Sequence, residues 1–281
     1  MTLTIFFAVL LAALLHAIWN AMVKGGPDKD LAMTAVILGS GIIGLFALLF
    51  VPAPDPASLP LMAASLALHI GYQFFLLASY RVGDLTQVYP LARGSAPLIV
   101  AVVSILFLGE TLTPGQLAAI ALIGLGIMSI TFSRRRHIAP NYRATALALV
   151  TGGFIAAYSL VDGWGARQAG TALGFYGSVA AANGLIFTTI VAIRRPSVLR
   201  QLPTQGLKAL TLGGVASFTA YALVVWAFTH APIALVTALR ETSIIFAMLI
   251  GVLVLRETLN PIRGLAALLT LAGVILLRIT S

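Results

Sequence analysis

The chain has 281 residues, 60% of them hydrophobic and only 9% charged, with no cysteine and a formal net charge of +9. Disulfide and thiolate chemistry are excluded, and so few charges cannot clothe an ordinary soluble domain. The basic residues sit at the edges of apolar runs, where membrane orientation accounts for them, so nucleic acid is not expected as a partner.

A bilayer core of about 30 Å needs about 20 apolar residues per helical crossing. In chain order, residues 3–23, 31–51, 59–80, 85–108, 113–132, 144–167, 171–193, 208–229, 232–255 and 261–279 meet that need. Ten helices fill the chain with short loops, and nothing remains for a soluble domain. The first run has no basic segment before it and a second spanning run soon after it. It reads as a retained helix rather than a cleaved signal peptide. The lipid bilayer is the expected surroundings, and the protein is read as a monomer.

Lysine and arginine collect in alternate loops. The loops after runs 1, 3, 5, 7 and 9 hold Lys24 and Lys29, Arg81, Arg134, Arg135, Arg136 and Arg143, Arg194, Arg195, Arg200 and Lys208, and Arg256 and Arg263. These are thirteen of the 17 Lys and Arg. The other side has only Arg167 and Arg278, and Arg93 and Arg240 lie within runs. Positive loops stay cytoplasmic. Both termini are therefore expected on the non-cytoplasmic side of an inner (cytoplasmic) membrane.

The chain also repeats itself. Leu108-Gly-Glu-Thr-Leu-Thr-Pro114 returns as Leu255-Arg-Glu-Thr-Leu-Asn-Pro261, an offset of 147 that also carries Arg93 onto Arg240 and Gly126 onto Gly273. Five helices per copy means that the copies insert with opposite orientation. Gly109 and Gln116 become Arg256 and Arg263, so the same loop turns basic where it faces inward. The expected units are residues 1–132, a basic linker at 133–143, and residues 144–281. The fold class is all-α integral membrane, with ten transmembrane helices as two inverted five-helix repeats around a central midplane cavity.

The two Glu-Thr-Leu-x-Pro segments resemble the EamA-type repeats of the drug/metabolite transporter superfamily, and His16-Ala-Ile-Trp19-Asn20-Ala in the first run is similar to members of that group. The resemblance covers the whole chain. It implies a secondary transporter of small metabolites, often an exporter, with bacterial amino-acid exporters among the relatives.

Polar groups inside a span are expensive and usually face the bundle interior or a water-filled cavity. Helical spacing gathers them into stripes: His16, Trp19 and Asn20; His69, Tyr72, Gln73 and Tyr80; Thr86, Tyr89, Pro90, Arg93 and Pro97; Tyr158 and Asp162; Ser217 and Tyr221; Thr237, Arg240 and Glu241. Bland readings stand beside these. Tyr80, Trp164 and Trp226 lie near run ends, where rings anchor at the interface. Trp19 could be core, and His69 a packed, hydrogen-bonded residue. Asp162 lies near the outer end of its run and could meet water or Arg167. Gly170, Gly174 and Gly177 read as close-packing glycines of the seventh helix.

Arg93 and Arg240 are the sharper case. An arginine at a helix centre costs about 2.5–3.5 kcal/mol to insert and stays charged. Glu241 is adjacent to Arg240 and on another face, so it is expected to reach Arg93 across the repeat axis. The arginines either tie the halves together as an ion-pair network or receive an anionic substrate group, for which bidentate geometry suits them. Pro90, Gly94 and Pro97 predict an interruption of the fourth helix, as hinge or as site.

The expected substrate-binding set is His16, Trp19, Asn20, His69, Tyr72, Tyr89, Arg93, Tyr158, Tyr221, Arg240 and Glu241. No Walker loop and no metal-spaced His/Cys cluster is present, so no cofactor and no metal is expected. No nucleophile–base pair or catalytic carboxylate pair is evident, so an enzyme is not expected. The leading reading is an amino-acid exporter working by alternating access on aromatic or bulky substrates. A lipophilic-drug or phosphometabolite exporter is the alternative, and a membrane structural subunit is the reading from another class. The charge asymmetry is directly testable. A C-terminal alkaline-phosphatase fusion should be active and a fluorescent-protein fusion dark; a bright C-terminal fusion with silent phosphatase overturns the topology.

Overall fold

The computed structural model describes residues 1–82, 85–133, 141–253 and 261–281, without the side chains of 80, 81, 85–87, 132 and 133. The second motif copy with Glu257, the linker arginines Arg134, Arg135 and Arg136, and the side chains of Tyr80, Arg81 and Thr86 lie outside the described residues.

Every regular element among the described residues is helical. In order they are α1 Leu3–Gly25, α2 Lys29–Ala47, α3 Leu59–Val82, α4 Leu85–Phe107, α5 Pro114–Ser129, α6 Tyr142–Gln168, α7 Ala172–Arg194, the short α8 Ser197–Gln201, α9 Gly214–Phe228, α10 Ile233–Arg240, α11 Ser243–Leu253 and α12 Pro261–Ile279. Nine stretches among the described residues are long and apolar enough to cross a membrane, with Ile233–Leu253 counted as one, and α5 is a shorter apolar tenth. Their starts are fixed by side chains that satisfy orphan backbone N–H groups. Thr2, Asp28, Asn141 and Thr171 each cap a helix this way, and Thr113 and Gln116 form a reciprocal capping box at α5.

The helices pack in exchanged pairs. α2 lies on α7 and α5 on α12; α6 packs on α3 and α4, while α1 packs on α9, α10 and α11; α3 meets α7 as α9 meets α2. Glycines let backbones approach in these seams. A Cβ on Gly41 would lie 2.9 Å from the Cα of Gly184, and one on Gly184 equally close to Gly41. Gly126 faces Leu269 and Thr270, and Gly273 faces Ala119 and Ile123. Gly170 is a different case from the packing glycine expected: at φ +68° it lies in the turn before α7, a left-handed conformation that glycine adopts without strain.

Before α9 the chain makes a wide five-residue π turn, Ala209–Gly213, and sets the Leu210 carbonyl against Gly39 of α2. A groove of about 410 Å³ opens between α1, α11 and α12, lined by Phe6, Leu10, Phe246 and Ile275 among others.

The expected interruption of the fourth helix is not found. α4 runs unbroken through Pro90 and Pro97; neighbouring helices can serve the carbonyls that a proline frees inside a membrane bundle. The break falls instead in the ninth span, between α10 and α11. There Glu241 N–H donates to Ala238 O and Thr242 N–H to Leu239 O, both at 3.1 Å, tightening the turn to three-residue spacing. The Thr242 hydroxyl also donates to Leu239 O at 2.8 Å, a side-chain bond that competes with the helical ladder.

Polar straps tie the two halves at both ends of the bundle. At the end carrying the termini, Arg278 Nη1 donates to Met1 O at 3.2 Å and Gln116 Nε2 to Thr280 O at 3.2 Å. Glu110 accepts from Ile233 N–H at 2.7 Å and from Arg167 Nη2 at 3.5 Å, so the motif glutamate of one half caps the broken helix of the other. At the opposite end Arg195 Nη2 donates to Asp28 Oδ2 at 2.6 Å and Asn141 Nδ2 to Val82 O at 2.8 Å. Burial pushes the Asp28 carboxyl up, but the Leu31 N–H bond and the Arg195 guanidinium outweigh it and hold the group below its ordinary value.

The α2–α7 seam supplies a test. Gly41→Val should cost about 1–3 kcal/mol through overpacking and lower the melting temperature of the detergent-solubilised protein. Gly153→Val, where a Cβ would meet nothing within 4 Å, should leave it near wild type.

Candidate functional site

Glu241 stands at the end of α10, where the break begins, and lies against α4. Arg93 Nε lies 2.8 Å from Glu241 Oε2, and Arg93 Nη2 donates to Ser243 Oγ at 3.0 Å. The approach to Glu241 is off-axis, so charge more than an aligned hydrogen bond holds the pair. Arg93 is 2% exposed and Glu241 0%. Tyr89, one turn earlier on α4, presents its ring 5.9 Å from the Arg93 guanidinium carbon, which offsets part of the lost hydration.

Arg240 is equally buried and less well matched. Glu241 Oε1 stands 4.0 Å from its Nε, the outer limit of an ion pair. Its Nε and Nη2 have no hydrogen-bond partner among the described residues. The guanidinium carbon instead lies 5.9 Å from the Tyr158 ring and 5.6 Å from the Tyr221 ring. Two buried arginines thus share one glutamate.

The same two rings lead to Asp162. Tyr221 Oη donates to Asp162 Oδ2 at 2.6 Å, and His69 Nε2 lies 2.9 Å from that oxygen. His69 stacks on Tyr158 at 4.3 Å, and Tyr72 meets Tyr158 edge-on at 5.5 Å. On α1, His16 and Trp19 pack edge-on at 5.0 Å. Trp19 packs with Val36, Leu76 and Phe187 in an apolar cluster that Tyr72 borders. Asn20 donates to the His16 carbonyl of its own helix at 2.8 Å.

Of the expected set, Tyr89, Arg93, Glu241, Arg240, Tyr158, Tyr221, His69 and Tyr72 form one connected cluster from α3, α4, α6, α9 and the α10–α11 break. On α1, Trp19 meets its Tyr72 edge, His16 packs on Trp19, and Asn20 bonds back to its own helix. Sequence reasoning left out Asp162 and Ser243. Asp162 meets neither of its expected partners: it pairs with His69 and Tyr221, while Arg167 donates to Glu110 and to the Phe228 and Ala231 carbonyls. The available signal was the spacing of four from Tyr158, which puts the carboxylate on the stripe that faces the interior.

A model of the EamA-like transporter family matches residues 3–132 and again residues 143–279. The chain belongs to the EamA-like transporter family. As an EamA-like transporter it is a multi-pass membrane protein of a family that moves small molecules rather than one of enzymes. A solved crystal structure shares its fold, with a TM-score of 0.77 at 17% identity over 99% of this chain and 97% of that one. Among curated proteins none matches the sequence.

The two arginines should respond differently to mutation. Arg93→Ala leaves Glu241 buried without its partner, a loss of about 3–5 kcal/mol. Arg240→Leu removes an unmatched buried charge and should fold at least as stably as wild type. Thermal melting of both variants in detergent checks the contrast.

Proposed function

We propose that this EamA-like transporter carries amino acids out of the cytoplasm by alternating access, with ten crossings arranged as two inverted repeats. The exchanged packing of the helix pairs supports the repeat: α3 and α4 on α6 match α9, α10 and α11 on α1, and α3 on α7 matches α9 on α2. The equivalent contacts of Gly126 and Gly273 across the α5–α12 seam support it further. The straps at the two ends support gating from either side, because each joins one half to the other. Both termini share the end opposite Lys24, Lys29 and Arg195, which supports an outside location for them with the basic loops cytoplasmic. The resemblance to metabolite exporters supports the outward direction.

The observation that carries the substrate reading is the unmatched Arg240. A buried guanidinium with free donors between two tyrosine rings suits a carboxylate, taken by charge-assisted hydrogen bonds. A single guanidinium whose Nε and Nη2 lack hydrogen-bond partners among the described residues suits the two oxygens of one carboxylate. Tyr72, Tyr89, Tyr158, Tyr221 and His69 offer faces for an aromatic or bulky side chain.

Proteoliposomes of the purified protein should show saturable uptake of one or more aromatic or branched amino acids. Arg240→Gln should cut that flux by roughly tenfold or more, as loss of a hydrogen bond to a charged group implies, and Tyr72→Ala should weaken it while the protein stays monodisperse. Wild-type flux no better than empty liposomes for every amino acid, or full flux in Arg240→Gln, overturns the reading.

A further inference from the structure

Asp162 is a second buried charge that the central cluster leaves half used. It is 1% exposed. Its Oδ2 takes both the Tyr221 hydroxyl and the His69 ring nitrogen, while Oδ1 has no hydrogen-bond partner among the described residues. A buried carboxylate oxygen without a donor costs free energy until a donor reaches it.

The surroundings define that donor. Tyr221 lies 5.9 Å from Tyr158 and 5.0 Å from Tyr176, so three rings gather beside the carboxylate. Ring faces attract cations, and a carboxylate among them favours a group that brings both N–H donors and positive charge. Arg240 borders the same Tyr158 and Tyr221 rings and has the opposite need. An unmatched guanidinium and an unmatched carboxylate oxygen around one pair of rings complement a zwitterion.

We infer that Asp162, flanked by Tyr158 and Tyr221, is an ammonium subsite that receives the amino group of a substrate whose carboxylate goes to Arg240. This deepens the reading of Arg240 and rests on it only for the zwitterion; the ammonium half stands on Asp162 alone. His69 holds the carboxylate by Oδ2 and leaves Oδ1 turned to the ligand, so it acts as a positioning residue.

Three probes separate the two halves: phenylalanine, its hydroxy-acid analogue 3-phenyllactate, which lacks the ammonium, and phenethylamine, which lacks the carboxylate. Calorimetric binding to the purified protein is measured for wild type, Asp162→Asn and Arg240→Gln. Asp162→Asn should weaken phenylalanine and phenethylamine by about tenfold or more and leave phenyllactate within about twofold. Arg240→Gln should weaken phenylalanine and phenyllactate and spare phenethylamine. Selective loss of amine binding in Asp162→Asn without selective loss of acid binding in Arg240→Gln keeps the subsite and overturns the carboxylate reading. Equal weakening of all three probes by Asp162→Asn, the result for a structural pair or a site for a proton only, overturns the subsite. So does unchanged phenethylamine binding, or a wild type that binds neither amine-bearing probe. If Asp162→Asn does not fold, Asp162→Glu keeps the charge and the His69 contact while crowding the subsite. It should weaken both amine-bearing probes several-fold and not phenyllactate; an equal effect on all three overturns the inference.

Discussion

Two guanidinium groups held out of water set the terms for the rest of this bundle. Neither Arg93 nor Arg240 can lose its charge, so each must be met by protein or by cargo. Arg93 is met by Glu241 and Ser243, and both of these come from the place where the ninth span gives up its helical ladder. The break and the ion pair are therefore one feature. α10 already packs on α4, and the tightened turn at its end presents Glu241 and Ser243 to one guanidinium. Without Glu241 the arginine would keep a hydroxyl and a ring but no counter-charge within ion-pair distance among the described residues. Arg240 is left with the quadrupoles of two tyrosines, an arrangement that tolerates a charge without neutralising it.

Holding such a centre requires a scaffold that does not depend on hydrophobic association, since lipid is as apolar as the helix faces. The α2–α7 and α5–α12 seams meet this need with glycines that bring backbones together, so that dispersion rather than water release holds the helices. The ends of the bundle are held by charge instead. Glu110 reaches across to cap α10, and Asp28 reaches Arg195 at the other end. The solvent-facing pair of Asp28 and Arg195 contributes little stability, whereas the Glu110 cap is largely buried.

Much of the fold was legible because the membrane imposes a length rule. The last run was bounded at 261–279 from hydropathy and proline alone, and α12 has those bounds. The cluster of Arg93, Glu241 and the tyrosines was legible for the same reason: polar side chains inside apolar runs have few places to go. What was hidden depended on tertiary partners. Pro90 and Pro97 announce a break that α4 does not make, whereas the ninth span breaks at a Glu-Thr pair with no proline or glycine to mark it. Asp162 lies far enough along its helix to look solvated, and only the approach of His69 from α3 and Tyr221 from α9 makes it interior. The role of Glu110 at the start of α10 involves a partner 123 residues away and leaves no local trace.

The π turn at Ala209–Gly213 carries a further consequence, for phase. Such a turn holds one residue more than an α turn, and each α-helical residue advances the helix by about 100°. The stretch before the turn and the stretch after it therefore do not share one helical wheel. Leu210 is phased to lay its carbonyl on Gly39, and Tyr221 is phased to reach Asp162, and only the surplus residue lets both be true. Deleting one leucine, threonine or glycine there would leave the apolar length adequate for a crossing. It would force a choice between the α2 seam and the tyrosine's aim, so that a change invisible to hydropathy would act as the loss of a hydroxyl more than two turns away.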